Sequence, residues 1–158
     1  MPDEKKIKDM IYSTFSEVVN SIGYSPVHGK ILAALFVNNG ELSLQELAKE
    51  TGYSSSMISL SLDFLEIFGI IKKRKKPQDR NLYIKLQGDL LECLKNAIII
   101  KVKKSIDETL NEFEKNKKDI SKLSKNQGIK AQKTLKILEK EIKRLKKYID
   151  MLSEIKPP

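Results

Sequence analysis

The stretch from Leu42 to Leu86 constrains the fold most, because its hydrophobic period changes once, at Gly69. Before Gly69 the apolar residues recur at helical spacing, and after it they alternate as in a β-strand. Ser54 stands where a helix N-cap is favoured, and Gly69 stands where a residue in the left-handed region would end that helix. We therefore expect a helix over residues 55–68, followed by a β-hairpin.

A helical wheel of residues 55–68 predicts a broad apolar face and a narrow polar stripe. The apolar face consists of Met57, Ile58, Ser61, Leu62, Phe64, Leu65 and Phe68. The opposite stripe consists of Ser55, Ser56, Ser59, Asp63 and Glu66. This pattern predicts a helix that is buried on most of its girth and that begins with small hydroxyl side chains on its exposed side.

A shorter helix is predicted just upstream. Ser43 and Glu46 have the spacing of a capping box, in which each side chain accepts a hydrogen bond from the other residue's amide. Leu44 and Leu47 give this helix an apolar edge, and Gly52 supplies a turn before Ser54. Two short helices joined at a glycine are typical of a helix-turn-helix.

The hairpin after Gly69 is strongly basic. Turn residues from Pro77 to Asn81 separate two strands, and the second strand alternates with apolar residues on one face. The hairpin carries Lys72, Lys73, Arg74, Lys75, Lys76 and Arg80 against the single acid Asp79. Lysines at a sheet edge also serve to discourage pairing with other chains. We favour DNA contact, because a hairpin that follows a helix-turn-helix is placed as a wing that reaches the phosphates.

The segment Leu65-Glu-Ile-Phe-Gly-Ile-Ile71, with Asp79-Arg80 at a wing tip, resembles the winged helix-turn-helix of the MarR superfamily. The short turn Gln78-Asp-Arg-Asn81 is most similar to the GbsR-type branch, and the resemblance covers roughly residues 25–90. It implies a dimeric transcriptional regulator whose second helix enters the major groove, whose Arg80 lies near the minor groove, and which responds to a small-molecule effector. The chain departs from this pattern in having no Arg or Lys in the recognition helix, although bidentate arginine is the commonest specific base contact.

The regions before and after this stretch are predicted to be helical. Asp3 to Ile22 has apolar residues at helical spacing, and a second helix is expected after Ser25-Pro26, with His28 as a surface or capping residue. Glu41-Leu42 is expected to form a short strand that pairs with the wing. After the wing, Asp89 and Glu92 open a long helix with weak points at residues 115–118 and 125–128.

From Ala131 the chain carries a heptad seam formed by Leu135, Leu138, Ile142, Leu145, Ile149 and Leu152. Such a seam usually packs against another long helix. Three partners remain open: the helix that starts near residue 89, the N-terminal helix, and a second subunit.

We therefore expect a mainly α fold, a winged helix-turn-helix with a small β-hairpin wing, flanked by N- and C-terminal dimerisation helices. The expected domains are an N-terminal helix at 1–24, a DNA-binding domain at 25–88, and long coiled-coil-like C-terminal helices at 89–158. The predicted dimerisation residues are Ile11, Phe15, Val18, Ile98, Val102, Ile142, Leu145 and Ile149.

Composition argues against several other functions. The net charge is +9, and residues 115–158 hold 14 basic and five acidic side chains, which we interpret as a solvated helix face rather than a second nucleic-acid contact. The chain has one histidine, one cysteine and no glycine-rich phosphate loop, so we expect no enzyme activity, no metal site and no cofactor.

We find no signal peptide and no apolar span of membrane length, so we expect a cytoplasmic protein that makes no membrane contact.

The predicted function is sequence-specific binding of double-stranded DNA by a homodimer that regulates transcription. The predicted contacts in the recognition helix are Ser54, Ser55, Ser56, Ser59 and Asp63, and those in the wing are Lys72, Lys73, Arg74, Lys75, Lys76, Arg80 and Asn81. The alternative is a winged-helix scaffold that uses its C-terminal coiled coil for protein–protein assembly. The identity of the effector is left open.

Overall fold

The computed structural model describes residues 3–158, which form six helices and three strands. In chain order the elements are α1 (Glu4–Ser21), α2 (Pro26–Val37), β1 (Glu41–Ser43), α3 (Leu44–Thr51), α4 (Ser55–Ile67), β2 (Ile71–Lys75), β3 (Leu82–Leu86), α5 (Leu90–Ile120) and α6 (Lys125–Ser153). The expected mainly helical fold with a small hairpin wing is confirmed.

The caps predicted from sequence are formed. The Ser43 hydroxyl accepts from the Glu46 amide at 3.1 Å, and the Glu46 carboxylate accepts from the Ser43 amide at 2.8 Å. Ser54 caps α4, and α2 begins with an equivalent box in which His28 Nδ1 accepts from the Ser25 amide at 3.1 Å. His28 therefore has the capping role that was expected of it, and these caps set where each helix of the helix-turn-helix begins.

The three strands form one antiparallel sheet in the order β1-β3-β2. Leu42 of β1 lies opposite Ile84 of β3, and Ile84 lies opposite Lys73 of β2. The expected pairing of residues 41–42 with the wing is thus confirmed. We call β2, β3 and the turn between them the wing.

The chain divides into two compact units, the first ending at Ile98 and the second running from Ile99 to Pro158. The core of the first unit lies between α2, α3, α4 and the sheet. Its most completely buried large side chains are Ile31, Leu32, Leu35, Leu47, Ile58, Leu62, Leu65, Ile70, Ile71 and Ile84. The beginning of α5 is fixed to this unit, because the Tyr24 hydroxyl donates to the Ala97 carbonyl at 2.9 Å.

Helix α1 crosses α2 very closely at Gly29. A Cβ atom added at Gly29 would lie 2.5 Å from the Ser16 Cβ, so any larger residue would force the two helices apart. The same helix is fastened to α3, because the Tyr12 hydroxyl donates to Glu50 at 3.0 Å and the Lys8 ammonium lies 2.6 Å from the same carboxylate. Helix α1 is therefore an integral part of the first unit.

In the second unit, α6 runs antiparallel to the distal part of α5. Three ion pairs define this arrangement: Lys103–Asp150 at 3.1 Å, Lys146–Asp107 at 3.0 Å and Lys117–Glu139 at 3.1 Å. Of the three partners left open for the heptad seam, the structure therefore pairs it with α5 of the same chain. The buried apolar side chains here are Ile106, Leu135 and Ile149.

One predicted weak point is wrong. Residues 115–118 do not interrupt α5, which continues to Ile120, because the Lys115 and Lys117 ammonium groups each lie 2.7 Å from an acid three residues earlier and support the helix. The chain breaks between Ile120 and Lys125, one turn upstream of the other predicted weak point.

Candidate nucleic-acid interface

Helix α4 is held firmly on its inner side. Ile58, Leu62 and Leu65 are fully buried, and the Phe64 ring stacks on His28 of α2 with centroids 4.8 Å apart and planes inclined by 12°. The rotation of α4 about its own axis is therefore set by the core.

The outer side of α4 differs from the expectation. The helix is not buried on most of its girth, since Met57 is 46 % exposed, Leu60 75 % and Ile67 80 %. The exposed face is centred on Ser56, Leu60 and Ile67, which lie opposite the buried residues. Leu60 and Ile67 were not among the predicted contacts, although a helical wheel places both farthest from the core positions.

The predicted serine stripe is rotated relative to this exposed face. Ser55 and Ser56 are exposed at the start of α4, whereas Ser59 is half-buried. The Ser56 hydroxyl lies 3.3 Å from the Ser54 hydroxyl, which also accepts from the Met57 amide at 3.2 Å. Of the four predicted serine contacts, Ser54, Ser55 and Ser56 are therefore exposed, and Ser54 also serves as the cap of the helix.

Lys73 of β2 neutralises the acids of α4. Its ammonium forms an ion pair with Asp63 and lies 3.7 Å from Glu66, while its backbone amide donates to Glu66 at 3.2 Å. The wing is therefore fastened to α4 through one residue. Asp63 and Lys73, predicted as separate DNA contacts, are here partners of each other.

Three further basic residues of the wing also have partners within the unit. The Arg74 guanidinium donates to Glu41 of β1 at 2.8 and 3.2 Å. The Lys76 ammonium lies 3.8 Å from the centre of the Tyr83 ring, and the Lys75 ammonium donates to the Arg80 carbonyl at 3.1 Å. Asp79 is the single acid of the hairpin sequence, and in the fold Glu41 of β1 and the acids of α4 also face the basic run.

The wing tip is shaped by Asp79. Its carboxylate accepts from the Tyr83 hydroxyl at 2.6 Å and from the Asn81 amide at 2.9 Å. The hydrogen bond from Tyr83, followed by that from Asn81, lowers the pKa of Asp79, and the same bond to Asp79 raises the pKa of Tyr83. Asn81 thus stabilises the turn through its backbone amide, which donates to Asp79.

Four basic side chains of the wing are exposed without an acidic partner. Lys72, Lys75, Arg80 and Lys85 make no ion pair within residues 3–158. Arg80 directly follows Asp79 in the turn. It stands two residues after Gln78, whose φ of 60° lies in the left-handed region. Arg80 is therefore the prominent cation of the tip.

The structure leaves most of the predicted dimerisation residues accessible. Ile11 and Val18 are 61 % and 55 % exposed on α1, and Ile98 and Leu145 are exposed on α5 and α6. Phe15, Val102 and Ile142 are half-buried. Ile149 is an exception, because it is buried in the single chain and offers little surface to a partner.

The remaining chemistry of residues 3–158 is sparse. These residues contain no group of three His, Cys, Asp or Glu side chains placed to hold a metal ion. Over the same range, every helix is too short or too polar to cross a membrane. Cys93 is buried, and burial raises the pKa of its thiol.

Comparison with solved structures reveals the same fold in a transcriptional regulator. The crystal structure described only as that of a transcriptional regulator has a TM-score of 0.68 and 18% identity, covering 91% of this chain and 95% of that chain. Weaker similarity extends to Tm0710 of Thermotoga maritima, with TM-score 0.45, 20% identity and coverages of 85% and 88%. NadR in complex with 4-hydroxyphenylacetate has TM-score 0.45, 15% identity and coverages of 99% and 100%.

No family model and no curated protein matches this sequence. The structural neighbours are described as transcriptional regulators. Because the sequence identity to the first of these structures is only 18%, the similarity shows a shared winged-helix fold and not a shared function.

Proposed function

We propose that this chain is a sequence-specific, double-stranded DNA-binding transcriptional regulator that acts as a homodimer. The observation that carries the proposal is that Lys73 joins α4 to the wing, so that the exposed start of α4 and the exposed Arg80 belong to one compact unit. A helix for the major groove and a basic wing for the backbone are the two parts that this mode of DNA binding requires.

Helix α4 would enter the major groove by its N-terminal end. Ser55 and Ser56 are exposed there, and short hydroxyl side chains let a helix approach bases and phosphates closely. The first amides of a helix also favour a phosphate, because the helix dipole is positive at that end. This end of α4 would therefore set the register of the protein on the duplex.

The wing would grip the backbone and the adjacent minor groove through Arg80 and Lys72. Since Lys73, Arg74 and Lys76 already lie close to acids, only part of the basic run of one wing is available to phosphates. Each phosphate that a cation neutralises releases a counterion and adds to affinity, so one subunit would bind more weakly than two.

A second copy would supply the missing affinity. The exposed apolar face of α1, formed by Ile7, Met10, Ile11 and Val18, is larger than isolated surface residues explain. Covering it with the same face of a second subunit would give a two-fold dimer whose α4 helices reach half-sites roughly 34 Å apart. The operator would then be pseudo-palindromic. In the second unit, Leu145 and Ile142 would also contact the partner subunit.

The resemblance of the Leu65–Ile71 segment and the wing tip to the MarR superfamily supports the same function, and the Gln78–Asn81 turn supports the GbsR-type branch. By the same resemblance, the regulator would respond to a small-molecule effector. The chemistry of that effector is open.

A second candidate function is a winged-helix scaffold. It is favoured by the exposed apolar side chains of α6, among them Leu138, Tyr148 and Met151. Selection of bound sequences from random duplex DNA, followed by a salt titration, separates the two functions. A regulator enriches a sequence and loses affinity steeply with salt, whereas a scaffold binds no better than any protein of equal charge.

Arg80→Ala tests the wing directly. We expect it to weaken operator binding by about 1–3 kcal/mol while leaving the fold intact, because Arg80 is exposed and unpaired. Arg144→Ala is the matched control, since it removes the same charge from α6, where Arg144 pairs with Glu141. Equal affinity of the Arg80 variant and the wild type would contradict the wing assignment.

Ile11→Glu combined with Val18→Glu tests the dimer. Both side chains are exposed in the single chain, so the charges should separate subunits without disturbing the core. Sedimentation should report half the wild-type mass, and operator affinity should fall with it. A wild type that sediments as a monomer and still binds its operator tightly would refute the dimer.

A further inference from the structure

Helix α4 presents an apolar residue where a DNA-reading helix commonly presents arginine or asparagine. Leu60 is 75 % exposed and lies one turn after Ser56 on the outer face. No Lys, Arg, Asn or Gln occurs in Ser55–Ile67. The outer face of α4 is therefore poor in groups that form the usual bidentate hydrogen bonds with guanine or adenine.

The polar side chains of this helix are largely engaged within the protein. Asp63 is paired with Lys73, which neutralises its charge and occupies one carboxylate oxygen. The Ser61 hydroxyl donates to the Met57 carbonyl at 3.0 Å, and Ser56 lies beside Ser54. The exposed hydroxyl groups of α4 therefore lie in its first turn.

The chemistry of the major groove offers one apolar group, the C5-methyl of thymine. We infer that Leu60 is a specificity-determining residue that contacts a thymine methyl group, so that the operator carries a thymine at this position of each half-site. The inference rests on the proposed function, because it requires α4 in the major groove.

Duplex DNA fits this face better than another protein does. Leu60 is flanked along the helix by Ser56 and Asp63, and the wing, which Lys73 joins to α4, carries the exposed Lys72 and Arg80 without acidic partners in the described chain. An anionic ligand that carries small apolar groups matches a leucine next to exposed cations of the same unit. A second copy of the chain would find more exposed apolar side chains on α1, with Ile7, Met10, Ile11 and Val18, than on α4.

The test replaces thymine by deoxyuridine in the operator obtained by selection. Deoxyuridine lacks only the C5-methyl and keeps the base-pairing edge. When the thymine that faces Leu60 is replaced, we expect the affinity of the wild-type protein for the operator to fall by about three- to five-fold. This is the contribution to affinity expected from burying one methyl group. The other thymines should have smaller effects.

A double-mutant cycle assigns the effect to Leu60. Leu60→Ala should weaken binding to the thymine operator and abolish the difference between thymine and deoxyuridine at that position. Ile67→Ala is the matched control, because Ile67 is 80 % exposed on the same face but lies two turns further toward the C-terminal end. This control should keep the deoxyuridine penalty. Circular dichroism and the sedimenting mass should be unchanged in both variants.

The outcomes separate this inference from the proposed function. If no duplex binds in a salt-dependent manner, the proposed function fails and the inference fails with it. If duplex binds but selection enriches no sequence, or if deoxyuridine has the same effect on wild type and Leu60→Ala, the thymine contact is wrong while DNA binding stands. A change in sedimenting mass caused by Leu60→Ala alone would identify this face as a contact between copies and overturn the inference.

Discussion

The two units of the chain use their apolar residues in opposite ways. In the first unit, ten large side chains including Ile31, Leu35 and Ile84 are almost completely buried. In the second, only Ile106, Leu135 and Ile149 are buried among the described apolar residues, and several side chains such as Leu138 and Met151 remain exposed. The first unit is stabilised by its own core, whereas the second keeps most of its apolar surface available to a partner.

Charge follows the same division. Residues 1–98 hold 13 basic and 12 acidic side chains, whereas residues 99–158 hold 17 basic and nine acidic ones, so most of the net charge of +9 lies in the second unit. In the wing the cations meet acids from distant parts of the chain, as Arg74 meets Glu41. In the second unit, ion pairs such as Lys146–Asp107 connect two exposed helix surfaces. Charges in the first unit therefore position a site, and those in the second mainly maintain solubility and helix pairing.

The largest expected difference comes from matched leucine truncations. Leu35→Ala should lower the free energy of unfolding by about 2–5 kcal/mol, because it leaves a cavity in the first core. Leu138→Ala, at a 51 % exposed position of α6, should change it by about 0.5 kcal/mol or less in dilute protein. Urea unfolding measures both. A Leu138 effect that grows with protein concentration would reveal its burial in a dimer.

A glycine pair tests the close packing of the first unit. Gly29→Ala should destabilise the protein by about 1–3 kcal/mol, since the new Cβ would lie within 2.6 Å of two Ser16 atoms. Gly128→Ala is the counterpart in α6, where the nearest atom is 3.6 Å away. Because alanine favours a helix, this variant should stabilise by about 0.5–1 kcal/mol. Thermal unfolding should show a lower melting temperature for Gly29→Ala and a higher one for Gly128→Ala. Shifts in the same direction would contradict the contrast.

Glu50 makes the stability of the first unit depend on pH. The hydrogen bond from Lys8, followed by that from Tyr12, lowers the pKa of Glu50 in the folded protein. Its stabilisation is complete above the pKa of glutamate in the unfolded chain, about 4.3, and is lost as pH falls through the lower folded value. We expect Glu50→Gln to cost about 1 kcal/mol at pH 7 and almost nothing at pH 2. Urea midpoints at both pH values measure this, and an equal loss at both would exclude the carboxylate as the cause.

The smallest effect is expected for an exposed pair of the second unit. Asp107→Asn removes the partner of Lys146, but both side chains are about half exposed and screened by salt. The loss should be about 0.5 kcal/mol or less and should disappear at 1 M salt. A larger, salt-independent loss in unfolding experiments would mean that this pair is shielded from water in solution.

The local features of the fold were predictable from the sequence. The caps at Ser25, Ser43 and Ser54, the left-handed Gly69, and the strand at residues 41–43 each follow from short-range chemistry. They were predictable because a capping hydroxyl and the amide it binds are only a few residues apart. The break after α5 was misplaced by one turn, since helix propensity alone locates an interruption poorly.

The candidate site was less predictable because its contacts are long-range. Asp63 meets Lys73 across ten residues, and Arg74 meets Glu41 across 33. No periodicity links such positions, so the sequence predicted free cations where the fold produces pairs. The exposure of Leu60 depends on which side of α4 the other helices cover, and the broad apolar pattern of residues 57–68 left that side ambiguous.

Burial of Cys93 has a practical consequence for experiments on this protein. It is the only cysteine in the sequence, its sulfur lies 3.7 Å from the Ile70 carbonyl, and burial raises the pKa of its thiol. Because the thiolate is the reactive form, the native protein should resist alkylation and oxidation at neutral pH. A cysteine introduced at exposed Lys85 would then be the sole site for a fluorophore, so the wing can be labelled without altering the core.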